Sequence, residues 1–340
     1  MRILITGNRG YVGTVLGEYL FTRGYKVSGL DSGFFESCVL EEPTFEIPTN
    51  VKDIRDVVLK DFEGFDAVVH LAALSNDPIG ELDETLTYEI NRDAAIRAAE
   101  LARGAKVKRF IFVSTQSIYG ISRSDLELTE NADKNPQTAY ARSKWDAENA
   151  ILEMSSNDYT TLALRPSTVF GWSSRLRSDI VFNNLLLSGL SKGRIEVHSD
   201  GSPWRPIVHV TDLSEAIRLA LVADHSKVSG EPFNIGKIGG NYTVKEIAEA
   251  ASKCLNGMSI LFNTESLTDP RSYRVSFLKA LSTLEFEAKR ELVESGREML
   301  TNFENMALDK DLVMGRLTNR LSQVAYLKNE GMLDESLRFN

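Results

Sequence analysis

The chain has 340 residues, 39 of them basic and 48 acidic, for a net charge of −9, with 42% hydrophobic and 26% charged residues. That length buries a sizeable core without staples, and the composition excludes a disordered chain. An acidic balance argues against nucleic-acid or anionic-membrane partners, yet leaves room for a small anion held by a few arginines.

Arg2–Thr6 reads as a buried strand, after which Val12, Val15, Leu16, Tyr19 and Leu20 fall on one helical face. Lys26–Leu30 predicts a second strand, ending at Asp31. Ala67–His70 predicts a strand, Leu86–Ala102 a helix, Arg109–Ser114 a strand, Tyr140–Met154 a helix and Thr161–Arg165 a strand. This alternation implies an α/β fold, a doubly wound parallel sheet with helices on both faces. Helices follow at about 178–190, 212–223, 243–255 and 288–303, with strands at Ile207–Val210 and Phe233–Ile235. The division expected is a nucleotide-binding domain over 1–170, to which strands near 207–235 return, and a smaller α/β substrate-binding domain over 171–303. Residues 304–340 form a helix-prone tail, with apolar Leu312, Leu317, Leu321, Val324 and Leu327, expected to be a packing arm or an oligomer contact.

Cys38 and Cys254, like His70, His198, His209 and His225, show no disulfide or metal-ligand spacing, so no metal is expected. The start, MRILITG, is too short for a signal-peptide core, and no run approaches the ~20 apolar residues of a membrane span. A cytoplasmic location is the expectation.

ITGNRGYVG places Gly7, Gly10 and Gly13 between a strand and a helix, with Tyr11 and Val12 in the same turn. Such a turn brings a pyrophosphate against backbone N–H groups and the positive end of a helix dipole. A strand–helix turn without a ligand is the plainer alternative. Asp31 ends the next strand, 18 residues after Gly13, where a carboxylate accepts both adenosine ribose hydroxyls and repels a 2′-phosphate. NAD is therefore expected over NADP, although Arg9 inside the loop could meet a 2′-phosphate.

Tyr140 and Lys144 form Y-x-x-x-K on one helical face. An ammonium beside a phenol stabilises the phenolate and makes the tyrosine a usable base. The spacing alone is cheap, but FVSTQSIYG upstream sets Ser114 and Thr115 at a strand's carboxyl end, where open α/β sheets bind ligands. Thr115 could bond the substrate oxygen that Tyr140 deprotonates, or simply cap a turn.

These motifs, together with DIRD (Asp53–Asp56), HLAALS (His70–Ser75), Asn91, YARSK, LRPSTVFG, WRPIVHVTDL, FNIG and DPRSYRVS, resemble the extended short-chain dehydrogenases/reductases of the NAD-dependent epimerase/dehydratase family. The resemblance spans about residues 1–300 and leaves the tail unexplained. It implies a Rossmann-type fold and a bound nucleotide sugar. Asp31 and Ser32 would hold the adenosine ribose, Asp53 and Ile54 the adenine. Leu71, Ala72 and Ala73 would line the nicotinamide side, with Asn91 and Ser114 also among the cofactor contacts. Tyr140 would be the base, Lys144 would bind the nicotinamide ribose, and Thr115 would assist. Ser75, Gln116, Thr168, Asn183, Arg205 and Arg271 would face the substrate, the two arginines clamping its diphosphate. Asp269 and Tyr273 are weaker correspondences, and a homodimer is expected. Arg175 and Arg177 precede a helix and either reach an anion or are solvated. His209 is expected to satisfy a core hydrogen bond.

Where related dehydratases carry an Asp–Glu pair and related decarboxylases a glutamate, this chain has Gln116 and Ser117. Thr168 stands where asparagine is usual. The expected activity is nucleotide-sugar epimerisation through a transient keto sugar. An NAD(P)-dependent ketoreductase or dehydrogenase, or a non-catalytic dinucleotide-binding regulator on the same fold, are the alternatives.

Overall fold

The computed structural model describes residues 1–41, 45–75, 83–122, 126–263, 271–306 and 314–340. Its first unit is β1 (Arg2–Thr6), α1 (Tyr11–Phe21) and β2 (Lys26–Asp31), followed by β3 (Thr49–Val51) and β4 (Ala67–His70). Next come α2 (Glu84–Tyr88), a π turn over Glu89–Asp93 and α3 (Ala94–Gly104), then β5 (Arg109–Val113), α4 (Ala139–Leu152) and β6 (Thr160–Pro166). The predicted helix over 86–102 is thus interrupted, and the interruption contains Asn91.

The second half adds β7 (Thr168–Phe170), α5 (Val181–Lys192), β8 (Ile195–Val197), β9 (Trp204–His209), α6 (Val210–Val222), α7 (His225–Val228) and β10 (Glu231–Ile235). It ends with β11 (Asn241–Thr243), α8 (Val244–Cys254), β12 (Ile260–Phe262), α9 (Leu278–Leu284), α10 (Leu292–Met306) and α11 (Arg320–Asn329).

The main sheet has seven parallel strands in the order β10-β6-β5-β4-β1-β2-β3. The chain adds β2 and β3 on one side of β1 and β4, β5, β6 and β10 on the other, and this switch in strand order puts a crevice at the carboxyl ends of β1 and β4. Of the two later strands, β10 joins this sheet beside β6, whereas β9 pairs apart with β7 and β11. Both sheet faces are covered. Ala94, Ala95, Ala98, Ala99 and Ala102 of α3 pack with Val68, Phe110 and Phe112 on one side. Leu16 and Leu20 of α1 and Leu213, Ile217 and Leu221 of α6 pack with Ile3, Ile5 and Val69 on the other. A third core joins α5, α8 and α10 to Tyr11 and Phe170.

Two glycines fix the first turn. Gly7 has φ +75°, and a Cβ there would stand 2.7 Å from Ala72 N. A Cβ on Gly13 would stand 2.4 Å from Gly7 O, so only glycine lets α1 start this close to β1.

Helix α4 is capped by Thr138, whose side chain accepts from Ala141 N at 3.1 Å. Its buried face is small (Ala139, Ala141, Ser143, Ala147), so it lies close on the sheet. One turn beyond Lys144, Glu148 is wholly buried and receives the Arg165 guanidinium of β6, Nη2 at 2.5 Å and Nε at 3.0 Å. Removing one member of such a pair leaves the other charge buried and alone, which costs about 3–5 kcal/mol. Glu148→Ala is therefore expected to lower the urea midpoint by the equivalent of that amount. A wild-type midpoint would show that the pair does not pin the helix.

Candidate active site

A cavity of about 400 Å³ opens along the carboxyl ends of β1, β2, β4, β5 and β6, lined by Gly7, Asp31, Leu71, Ser114 and Pro166 from those ends. Gly10, Tyr11, Val12 and Gly13 present the first turn of α1 to it. Ser32, Asp53, Ile54, Ala72, Ala73, Ser75, Thr115, Gln116, Tyr140, Lys144, Thr168, Arg205 and Arg271 line it as well. Residues far apart in sequence thus meet around one space.

At one end the Asp31 carboxylate is aimed by two backbone donors, Arg9 N at 3.0 Å and Gly33 N at 2.8 Å. Burial raises its pKa against the pull of those hydrogen bonds. The Arg9 side chain pairs with Glu36 at 2.6 Å. Asp53 is gripped by Arg55, Nη2 to Oδ2 at 2.6 Å. Burial opposes ionisation of Asp53, but the Arg55 hydrogen bonds and charge outweigh it and lower its pKa.

At the other end Tyr140 and Lys144 lie one turn apart on α4. Lys144 is 2% exposed, its Nζ 4.1 Å from the centre of the Phe112 ring. Burial lowers its pKa to about 7, against the attraction of Glu148. Thr115 both lines the cavity and caps the turn Gln116–Tyr119, accepting from Ser117 N at 3.1 Å. Ser114 Oγ is buried beside it without a hydrogen-bond partner. His70 is a core residue, its Nδ1 3.0 Å from Thr6 Oγ, and burial lowers its pKa to about 3. His209 likewise turns inward, its Nδ1 accepting from Thr211 N at 3.2 Å to cap α6.

Two expected ligand contacts stand behind the wall instead. Asn91 accepts from Leu74 N at 2.8 Å and donates to Leu74 O at 3.1 Å, which fixes the loop after β4. Asn183 accepts from Gly171 N at 3.3 Å and donates to Arg177 O at 3.1 Å, which fixes the loop after β7. Neither lines the cavity, and both amides are bound to backbone. Gln116 does line it, but its Nε2 donates to Arg165 O at 2.9 Å and its Oε1 accepts from Ser167 Oγ at 3.2 Å.

Several wall residues carry no motif. Arg177 and Asp179 pair at 2.8 Å, and Arg177 also donates to Ser75 Oγ at 3.0 Å. A solvated-loop reading of Arg175 and Arg177 does not hold: Arg175 is 3% exposed and donates to Phe35 O and Glu36 O, and Arg177 faces the cavity. Serines on both sides of that pair disguise it as an exposed turn. Phe34, Phe35, Lys52 and, from the tail, Arg320 complete the wall. Arg205 bonds Arg271 O, and Arg271 Nη1 donates to Ser117 Oγ at 3.2 Å. Tyr273 lines the same side, while Asp269 and Leu312 lie outside the described residues.

The sequence model of the NAD dependent epimerase/dehydratase family matches residues 3–236. UDP-glucose 4-epimerase of Lactobacillus helveticus is 29% identical over 318 residues, covering 86% of this chain and 94% of that protein. UDP-glucuronic acid decarboxylase 1 of Arabidopsis thaliana is 26% identical over 323 residues, covering 92% of this chain and 72% of that protein. Among solved structures, MoeE5 in complex with UDP-glucose and NAD superposes with a TM-score of 0.78 at 25% identity, over 91% of this chain and all of that one, 100%.

The Lys144 shift has a measurable consequence. Its pKa is about 7 when folded, against 10.5 ordinarily, so between those values the unfolded chain holds a proton that the folded chain has released. Stability therefore rises with pH across that window and the gain is lost as pH falls through 7. Relative to Lys144→Met, the ligand-free wild type is expected to gain up to about 1.4 kcal/mol per pH unit between about pH 7 and 10. Urea unfolding of both proteins across that range checks this. A difference independent of pH would refute the shift.

Proposed function

The chain belongs to the NAD dependent epimerase/dehydratase family, and on that premise we propose that it is a nucleotide-sugar epimerase working with bound NAD. One observation carries the choice of reaction. Among the described residues, the carboxylates lining the cavity are Asp31, Asp53 and Asp179, and each is engaged by neighbours: Gly33 and Arg9, Arg55, and Arg177. At the positions after Thr115, Gln116 and Ser117 offer amide and hydroxyl instead. Loss of water from the sugar needs a carboxyl acid and base that the described residues of this wall do not present beyond those three.

The residues present fit a dinucleotide. The α1 N-terminus suits its pyrophosphate, Asp31 and Ser32 its adenosine ribose, and Asp53 and Ile54 its adenine. Leu71–Ala73 suit the nicotinamide, and the orphaned Ser114 Oγ offers a polar contact beside it. When bound, NAD would supply a hydride acceptor, and in its reduced form a hydride donor, for a sugar carbon. Tyr140 removes the hydroxyl proton from that carbon's oxygen and later restores it. Thr115 steadies the oxygen by a hydrogen bond. Lys144, when protonated, holds the ribose and favours the Tyr140 phenolate. Arg205 and Arg271 clamp the substrate diphosphate, with Ser75 and Thr168 on the sugar side. Inversion would require the keto sugar to present its other face to the site.

We further propose that the protein is a cytoplasmic homodimer. Two buried free thiols, Cys38 and Cys254, support a reducing compartment, and among the described residues no helix is long and apolar enough to cross a membrane. Sedimentation of the purified protein measures the dimer.

The activity test uses UDP-glucose and UDP-glucuronic acid first, following the relatives' names, then a wider panel. Purified protein with only its bound NAD is expected to interconvert two epimers of unchanged mass, without lasting NADH absorbance. A product lighter by water, or consumption of cofactor in step with product, would replace epimerase by dehydratase or ketoreductase. Tyr140→Phe is expected to lower turnover ~10²–10⁴-fold while NAD binding survives. Near wild-type turnover would remove Tyr140 from the mechanism.

Cofactor choice gives a separate test. Wild type is expected to bind NAD more tightly than NADP, and Asp31→Ala to narrow that gap, because it removes the charge facing a 2′-phosphate. Titration of both cofactors into both proteins reads it. Tighter NADP binding by wild type would overturn the role given to Asp31.

A further inference from the structure

One buried cation of the cavity comes from the far end of the chain. Residues 314–340 run back over the loops that follow β2 and β3. Gln323 Nε2 donates to Phe34 O at 3.3 Å and to Ser37 Oγ at 3.2 Å. Arg55, the partner of Asp53, donates to Ser336 O at 2.8 Å and Leu337 O at 3.2 Å. Val324, Leu327, Leu333 and Leu337 are buried in the same core as Phe34 and Ile54. The segment is thus built onto the two loops that present Ser32 and Asp53.

Arg320 opens α11, is 2% exposed and lines the cavity. Its Nη2 donates to Arg175 O at 2.7 Å, and its guanidinium lies 4.7 Å from the centre of the Phe35 ring. Its Nη1 is buried with no hydrogen-bond partner. Among the described residues no carboxylate lies within ion-pair distance of it. The loop that holds it is itself tied to the start of α1: Ser173 Oγ donates to Tyr11 O at 3.1 Å, and Ser178 N donates to Thr318 O at 3.0 Å. Burial lowers the Arg320 pKa only to about 10, so it stays cationic at neutral pH.

A buried guanidinium nitrogen left without a hydrogen-bond partner is costly, as Nη1 is here, and a planar guanidinium matches the oxygens of a phosphate. We propose that Arg320 is a diphosphate-binding residue of the dinucleotide site, delivered by a C-terminal segment that walls the adenosine side of the cavity. This rests on the dinucleotide reading above. The nucleotide-sugar substrate carries a diphosphate too, but Arg320 is held by Phe35 and by Arg175 O, and Arg175 is itself anchored on the loop after β2 through Phe35 O and Glu36 O, whereas Arg205 bonds Arg271 O and Arg271 reaches Ser117. The dinucleotide is the source assigned.

Calorimetric titrations of NAD and, separately, of UDP into wild type, Arg320→Met, Arg320→Lys and Lys328→Gln test it. Lys328 pairs with Glu335 on the exposed side of the same segment, so Lys328→Gln controls for charge removed outside the cavity. Arg320→Met is expected to weaken NAD about 10- to 100-fold. Arg320→Lys, which keeps the charge but loses the fork, is expected to weaken it less. UDP affinity is expected to hold in every variant, and Lys328→Gln to bind NAD like wild type. Unchanged NAD affinity in Arg320→Met overturns the proposal, as does a loss confined to UDP. Should Arg320→Met fail to fold, Arg320→Lys decides: a several-fold loss for NAD supports the assignment, and wild-type affinity overturns it. A wild type that binds no NAD overturns the cofactor reading and the proposal together, an outcome distinct from loss of the Arg320 effect alone.

Discussion

The buried pairing of Arg165 with Glu148 is the contact on which the reactive end of the site depends. It locks α4 to β6, and α4 carries both Tyr140 and Lys144. Arg165 does more than neutralise Glu148. Its Nη1 donates to Tyr119 Oη at 2.9 Å and to Glu130 O at 3.0 Å. Tyr119 in turn donates to Asn234 Oδ1 at 2.8 Å, on β10. Asn234 N donates to Glu130 Oε1 at 2.8 Å. One connected network therefore fixes α4, the sheet edge and the loop bearing Thr115 relative to each other. A charge pair this deep adds little net stability over an apolar one, but its directional bonds fix geometry. Here that geometry is the separation of Thr115 from the tyrosine–lysine face.

The same pair shapes the electrostatics. Glu148 sits one turn from Lys144 and supplies the attraction that opposes burial of its ammonium. Without a carboxylate there, desolvation would act on Lys144 alone. Elsewhere around the cavity the carboxylates are held by backbone or arginine, while Lys144, Arg205, Arg271 and Arg320 are turned toward the space. The wall is thus more cationic than the acidic chain as a whole, which suits ligands carrying diphosphates.

Much of this was legible in the sequence because local spacing encodes it. The strand–turn–helix around Gly7, Gly10 and Gly13 follows from what a Cβ would hit. The Tyr140–Lys144 pair follows from helical period. What local spacing does not encode is where distant segments return. β7, β8, β11 and β12 have three residues each, too short for a period to register. Arg177 sits in a serine-flanked turn that reads as surface. Arg320 lies in a tail whose apolar period announces packing but not which groove it packs into. Val324 and Leu327 follow that period into the core, and it is their docking against Phe34 and Ile54 that brings Arg320 to the cavity.

Asn91 and Asn183 show a different division of labour. Both are polar, motif-borne and buried, the profile of a ligand contact, and both instead bind backbone. The π turn over Glu89–Asp93 carries Asn91, whose amide grips both the N–H and the C=O of Leu74. The same amide donates to Ser143 Oγ at 3.4 Å, on α4. The loop Leu71–Ser75 and the helix bearing Tyr140 are thereby referenced to one side chain. Asn91 therefore sets the spacing between the loop after β4 and α4, both of which line the cavity. A residue acting in this way sets geometry through its backbone bonds, and a reading from residue type alone places it one layer too far forward.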